Sequence, residues 1–360
     1  MSYLRLNLAL TTIAMLLTAM LVTPLSAAAE NSEPSRTPPV DVVPINTEPA
    51  AANKPPLPEA PYYTGIGQPP AYSPPASLAV VAAPPPDFYD RARHLVGGSR
   101  LLATGGISPL EGAGGGGIVP WALISGLGDR DQIGGSAYYT QADPTDFSLR
   151  SSGGAIGFFN RVELSYAHLD FGLGTTVPGH SIGLDVIGAK LRVYGDAVYD
   201  QDSLIPQISV GVQHKHNKDF DLVPKALGAR RSDDNDYYIA ATKIFLAGLA
   251  GRNVVANLTL RATRANQLGI LGFGGDQGDH YQVLPEASLG VFLADHWLVG
   301  GEYRMKPDNL SVFREDDFKD AFLVWFPIKR LSLTAAWAWL GNIADQDNQD
   351  ALYLSGQLAF

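Results

Sequence analysis

The chain has no cysteine, little positive charge and, beyond its N-terminus, no long hydrophobic run. The absence of cysteine among 360 residues excludes disulfides, thiolate metal sites and a lipid-modified N-terminal cysteine. Lys and Arg number 26 against 36 Asp and Glu, a formal net charge of −10, which disfavours binding to nucleic acid. Past the N-terminus no apolar run reaches the roughly 18 residues of a membrane-spanning helix, which argues against a polytopic helical membrane protein.

The N-terminal third has the composition of an export signal followed by a spacer. Met1–Ala29 contains the basic Arg5, an apolar run and three alanines before Glu30, so residues 1–29 are predicted to be a secretory signal peptide. Residues 30–98 are rich in Pro and Ala and are predicted to be a disordered periplasmic segment with one short helix at 87–97. This segment is either a spacer without a specific partner or a docking segment for a periplasmic partner.

The final stretch, Asp350–Phe360, alternates strictly. Leu352, Leu354, Leu358 and Phe360 share an apolar face, and Tyr353, Ser355 and Gln357 share the opposite, polar face. A terminal strand of this kind ending in Phe resembles the closing strand of bacterial outer-membrane barrels. We therefore expect these four apolar residues to be the assembly signal that the barrel-insertion machinery reads.

Residues 99–360 repeat this strand texture and predict an all-β fold, a transmembrane antiparallel up-and-down β-barrel. Fourteen strands are expected, or twelve if the Gly-rich opening forms none. The predicted strands are Ser99–Gly106, Gly116–Gly126, Gln132–Ala142, Asp146–Ile156, Arg161–Gly172, Ile182–Gly195, Ile205–His216, Asp236–Gly248, Asn253–Arg264, Tyr281–Leu293, Trp297–Lys306, Phe318–Ile328, Leu331–Leu340 and Asp350–Phe360. Short and long connections alternate between them, as periplasmic turns and outer loops do in such barrels.

The alternation also assigns a polar, inward face to several strands. A soluble sandwich would expose its charged faces, whereas a membrane barrel turns them inward, and the export signal favours the barrel. A slip of phase at Val186-Ile187, interpreted as a bulge, places Asp185 on the same face as Lys190 and Arg192. The predicted lumen-lining residues are Glu163, Asp185, Lys190, Arg192, Lys215, Arg261, Glu286, Glu302, Arg304 and Lys306.

Four long motifs resemble a bacterial family known only as a domain of unknown function. They are LLATGGISPLEGAGGGGIVPWALISG (Leu101–Gly126), DQIGGSAYYT (Asp131–Thr140), LRATRANQLGILGFGGD (Leu260–Asp276) and EYRMKPDNL (Glu302–Leu310). The resemblance covers residues 99–360 and implies an exported, outer-membrane β-barrel. It supplies no catalytic residues.

Two functions follow from an outer-membrane barrel with a mixed-charge lumen. Unpaired charges in a wide lumen would make it a conduit for small solutes, which is the function we expect. Tightly paired charges would instead close the lumen and leave a structural or surface-interaction barrel. The apolar loop Leu268–Gly275 either folds into the mouth as a constriction or packs on the rim.

An outer-membrane hydrolase is a third hypothesis. Asp279-His280 and Asp233-Asp234 lie in successive predicted outer loops and are similar to the Asp-His and Asp-Asp pairs of omptin-like barrel proteases. We expect no enzyme activity, no catalytic residues, no metal and no cofactor. The expected partners are outer-membrane lipid and lipopolysaccharide, the barrel-insertion machinery and a periplasmic partner of the Pro-rich segment, with no nucleic acid. The expected location is the outer membrane of a Gram-negative bacterium.

Overall fold

The computed structural model describes Leu95, Gly98 and residues 100–360. The predicted signal peptide, the Pro-rich segment and the short helix at 87–97 therefore lie outside the described residues, apart from Leu95 and Gly98. No helix of the described part is long and apolar enough to cross a membrane.

Twelve antiparallel strands close into a barrel. Each strand pairs with its neighbours in the chain, and β1 pairs with β12, with Ser136 opposite Ala359 and Pro144 opposite Ala351. The strands are β1 Ile133–Pro144, β2 Ser148–Phe158, β3 Val162–Gly172, β4 Ser181–Tyr194, β5 Gln207–Asn217, β6 Asp233–Leu249, β7 Arg252–Thr263, β8 Gln282–Ala294, β9 Trp297–Arg304, β10 Phe318–Ile328, β11 Leu331–Trp339 and β12 Asp350–Ala359. A 3₁₀ turn, Asn266–Gly269, lies between β7 and β8.

The all-β up-and-down barrel is confirmed, with the twelve-strand count. The two additional strands expected at Ser99–Gly106 and Gly116–Gly126 are absent from the barrel wall. These segments instead belong to a non-strand segment, residues 100–128, which lies inside the barrel and which we call the plug. Its glycines allow close backbone packing against the wall but disfavour an extended strand.

Outward and inward side chains differ sharply in polarity. Outward positions of β12 are Leu352, Leu354 and Leu358, each about half exposed, while the inward Tyr353, Ser355 and Gln357 are buried. Exposed aromatic residues lie at both rims: Tyr194, Trp297, Trp325 and Phe360 at one, and Tyr237, Tyr281, Trp337 and Trp339 at the other. An apolar outer surface between two aromatic belts is the pattern that lipid solvates well.

The two rims also differ in their connections. The start of β1 and the final residue, Phe360, lie at the rim that carries the two-residue turns 250–251, 295–296 and 329–330. The opposite rim carries the long connections 218–232, 264–281, 305–317 and 340–349. We call the first the turn rim and the second the loop rim.

Strand β4 corrects one prediction. Burial alternates without interruption from Ile182 to Arg192, so Val186-Ile187 is not a bulge; the register shift lies between Arg192 and Tyr194 instead. Asp185 consequently points outward, where its Oδ1 lies 2.6 Å from His168 Nδ1. The expectation that Asp185 lines the lumen is therefore wrong. The inner face of β4 is apolar at the loop rim and charged at the turn rim. Polarity alone therefore indicates a bulge that the strand does not have.

The lumen as candidate functional site

The plug enters from the turn rim, reaches deepest at Glu111 and returns to β1. Wall side chains from around the barrel bond its backbone: Ser151 Oγ donates to Leu110 O over 2.7 Å, and Thr259 Oγ1 donates to Pro120 O over 2.8 Å. On the opposite wall, Ser332 Oγ donates to Ile107 O over 2.9 Å. The plug is therefore held chiefly by its own peptide groups, which polar wall residues satisfy.

Close approach explains why the plug is rich in glycine. A Cβ built on Gly116 would lie 1.8 Å from Glu302 Oε1, and both groups are buried, so neither can move easily. Gly126 has a φ of +83° and would place a Cβ 2.2 Å from the backbone nitrogen of Gly135. At these positions only glycine lets the plug backbone touch the wall.

One buried ion pair fastens the plug near the turn rim. Lys190 Nζ lies 3.0 Å from Glu163 Oε1 and donates to the plug carbonyls of Gly114 and Leu123, each over 2.8 Å. Glu163 in turn accepts the backbone N–H of Gly114 over 3.0 Å and that of Ser125 over 2.7 Å. The pair thus contacts the returning arm of the plug at two places, Gly114 and residues 123–125.

A larger charge network surrounds Glu111 at the tip of the plug. Its carboxylate contacts Lys215 and Arg304, and lies 3.7 Å from Arg261 Nη2. Wall carboxylates complete the network: Asp236 lies 2.7 Å from Lys215 and 3.2 Å from Arg261, while Glu286 lies 2.5 Å from Arg261 and 3.3 Å from Arg304. We call these five wall residues and Glu111 the Glu111 network.

Glu111 is ionised in this setting. Burial on its own would raise the pKa of the carboxyl group, but the charges of Arg304, Lys215 and Arg261 outweigh it. The pKa therefore falls well below the usual value of 4.5. The network contains three basic and three acidic side chains and is therefore balanced in number.

An apolar loop closes the lumen from the loop rim. Residues 265–275, which we call the mouth loop, fold inward, with Leu271 and Phe273 fully buried. The loop meets the network where Lys215 Nζ donates to Leu268 O over 3.0 Å. Between plug and mouth loop remains an interior cavity of about 40 Å³, which has room for roughly one water molecule. The loop thus lies in the mouth rather than on the rim, and the described lumen is occluded.

All of the predicted lumen residues except Asp185 face inward. Lys306, beyond the end of β9, lies 3.0 Å from Glu315 and donates to Gln267 of the mouth loop. Glu302 differs from its neighbours, since it accepts from Ser288 Oγ over 2.6 Å and from the plug N–H of Ile118 over 2.8 Å. The buried, inward-facing members of the predicted set are Glu163, Lys190, Arg192, Lys215, Arg261, Glu286, Glu302, Arg304 and Lys306.

Two aspartates of the hydrolase hypothesis, Asp279 and Asp234, are bound by arginines at the loop rim. Asp279 pairs with Arg231 and Arg230. The largest cause of its lowered pKa is the hydrogen bond from Arg231. Asp234 pairs with Arg264, its Oδ2 lying 2.7 Å from the Nε atom. Asp279 and Asp234 are therefore engaged by arginines, whereas Asp233 contacts Nδ1 of His216, which belongs to neither predicted pair. Within residues 100–360, no three His, Asp or Glu side chains are grouped as metal ligands would be.

The residues of the predicted assembly signal lie in two places, the outer face of β12 and the turn rim. Leu352, Leu354 and Leu358 face outward on β12, which closes the barrel against β1. Phe360 lies at the turn rim, where its carbonyl oxygen accepts the N–H groups of Leu127 over 2.8 Å and Gly135 over 2.9 Å. The last residue of the chain thus also binds the base of the plug.

Solved structures with a similar architecture are outer-membrane proteins. The KdgM porin is 10% identical, with 62% of this chain and 99% of that chain covered and a TM-score of 0.41. An outer-membrane channel from Pseudomonas putida F1 is 12% identical, with 63% and 95% covered and a TM-score of 0.38. The outer-membrane protein Omp33 of Acinetobacter baumannii is 9% identical, with 63% and 97% covered and a TM-score of 0.32. At such values the likeness carries no argument about function.

The family assignment has a firmer basis than these structures. No curated protein matches the chain significantly. The family model described as "Protein of unknown function (DUF3034)" matches residues 104–357, which include most of the plug and nearly all of the barrel. The chain therefore belongs to the DUF3034 family of proteins of unknown function.

Proposed function

We propose that the protein is a gated conduit for small solutes in the outer membrane, closed by the plug and the mouth loop and opened when the plug is displaced and the mouth loop, which packs beside it, is released. The observation that carries the proposal is the polar, charged wall that faces the plug. Lys190, Glu163, Arg261 and Glu286 are all at most 2% exposed. A lumen with such a wall can fill with water once the plug leaves.

A permanently closed lumen would not need this wall. Buried ion pairs add little stability, and replacing one by well-packed apolar side chains is often neutral or stabilising. The polar wall is therefore not explained by stability alone. Water in an opened lumen would solvate the same charges at little cost, because they would no longer be buried.

The outer surface supports the proposed location. Its apolar band between aromatic belts suits a lipid bilayer, and the export signal predicted at residues 1–29 would deliver the chain to the periplasm. A closed barrel leaves no strand edge unpaired in lipid. With the turn rim in the periplasm, the long connections would lie outside the cell.

A reversible tether tests the proposal. Ser125 Oγ of the plug lies 2.7 Å from Ser136 Oγ of β1, and the chain has no native cysteine. In the Ser125→Cys/Ser136→Cys variant, a disulfide should hold the returning arm of the plug against the wall. We expect single-channel conductance in planar bilayers to be suppressed under oxidising conditions and restored by reductant. Equal conductance in both states, or none in either state and in wild type, would refute the gated conduit. The single variants serve as controls for the reductant.

A structural barrel with a permanently closed lumen is the second candidate. The apolar mouth loop favours it, because Leu271 and Phe273 are buried as tightly as in a soluble core. In that case the disulfide would alter only stability, and neither wild type nor the reduced variant would conduct.

A further inference from the structure

The charges of the Glu111 network divide unequally between plug and wall. The wall contributes three cations, Lys215, Arg261 and Arg304, and two carboxylates, Asp236 and Glu286. The plug contributes the one remaining carboxylate. Displacing the plug would therefore leave the wall with one surplus positive charge at this level.

The cations also hold the carboxylate of Glu111 in a specific way. Lys215 contacts Oε1, whereas Arg304 contacts Oε2, and Arg261 Nη2 lies 3.7 Å from the same Oε2. Each oxygen thus has its own cationic donor, and planar guanidinium groups suit the geometry of a carboxylate. The three cations are at most 3% exposed and are positioned by their wall carboxylates.

A glutamate side chain can be buried in this lumen without cations around it. Glu302 is 1% exposed, and the donors to its oxygens are the hydroxyl of Ser288 and the N–H of Ile118. Among the described residues, no Lys, Arg or His nitrogen lies within 4.0 Å of the Glu302 carboxyl oxygens. The cationic setting of Glu111 is thus a particular feature of that site.

We propose that Lys215, Arg261 and Arg304 form a binding site for the carboxylate group of a small anionic solute, which Glu111 occupies while the plug is seated. The proposal rests on the gated conduit and names the class of solute that it would carry. The surplus positive charge of the opened, water-filled wall would attract an anion, and the three cations would offer a carboxylate the contacts that Glu111 makes in the closed state. Solute and plug would then compete for the same three cations.

Chemical rescue of the full-length chain tests the site. Glu111→Ala removes the carboxylate and leaves space beside the cations, so its unfolding midpoint should fall. Sodium acetate should recover roughly half or more of that loss in a saturable manner, while sodium chloride of equal ionic strength should not. Glu302→Ala is the matched control, because acetate should not rescue a site without cations. No acetate-specific rescue, or equal rescue of both variants, would overturn the proposal.

A second measurement applies if Glu111→Ala does not fold. Acetate should compete with Glu111 in the otherwise wild-type chain and speed the thiol labelling of Ser125→Cys relative to chloride. Equal labelling in the two salts would overturn the site. The conduit and the site can fail separately: rescue without conductance would refute the conduit and retain the carboxylate site, while conductance without rescue would do the reverse.

Discussion

Lys190 offers a quantitative test of how the plug is held. Lys190→Met removes the cation that faces Glu163 and the donor to the carbonyls of Gly114 and Leu123. Glu163 would then be fully buried under the seated plug without a cation beside it, whereas water would solvate it in an opened lumen. Breaking one partner of such a buried pair costs about 3–5 kcal/mol. The displaced plug should therefore become roughly a hundred- to several-thousand-fold more populated.

Labelling of a thiol inside the lumen measures this population. Ser125 is 2% exposed, so Ser125→Cys should react only when the plug opens. In that background Lys190→Met should raise the labelling rate by a factor of the order given above. The double change Glu163→Gln/Lys190→Met should cost less than Lys190→Met alone, because no buried charge remains unpaired, although two plug carbonyls and one plug N–H lose their partners.

A surface lysine provides the matched control. Lys225 is largely exposed and pairs with Asp221 four residues before it, so Lys225→Met should leave the labelling rate nearly unchanged. If Lys190→Met labels no faster than this control, the Lys190–Glu163 pair does not hold the plug, and the reasoning fails.

Four further outcomes are expected. Gly116→Ala should drive the plug against the buried carboxylate beside it and expose the lumen to thiol labelling, without loss of the barrel's heat-modifiable band in electrophoresis. Because the pKa of Glu111 is depressed in the folded state, its contribution is present above the pKa of an unfolded glutamate and is lost only as pH falls through the folded value; the difference in unfolding midpoint between wild type and Glu111→Gln should hence be constant from about pH 5 to 8. Deleting Phe360 should leave the protein in the periplasm or degraded, and wild-type levels in the outer membrane would contradict its role. On intact cells an impermeant maleimide should label Gln277→Cys but not Asp202→Cys, and the opposite result would invert the topology.

The strands were predictable because lipid-facing and inward residues alternate along them. Phe318–Ile328 was predicted with its observed bounds, and β3, β11 and β12 within one residue at either end. Prediction of a strand from this alternation requires only that one face be apolar. Where the inward face is apolar, alternation assigns the faces wrongly, as in the loop-rim half of β4, where the buried Ile182, Leu184 and Val186 pack with apolar side chains of the interior.

The plug was not predictable in the same way. Ser99–Gly106 and Gly116–Gly126 contain short apolar runs that satisfy a strand pattern, and only the closure of β1 on β12 shows that no place remains for them in the wall. Glu111 was missed because a single charge has no period. A usable signal did exist: it is the one charged residue in Leu101–Gly126, while bases outnumber acids among the predicted lumen residues.

The claim that plug displacement opens a solute pathway is tested most directly by measuring flux and plug displacement on the same proteins. Liposome swelling should be recorded for wild type, Lys190→Met and Lys225→Met, alongside thiol labelling of each in the Ser125→Cys background. The gated conduit predicts that swelling with small solutes rises with the labelling rate, highest for Lys190→Met and unchanged for Lys225→Met. Faster labelling of Lys190→Met without any increase in swelling would contradict it.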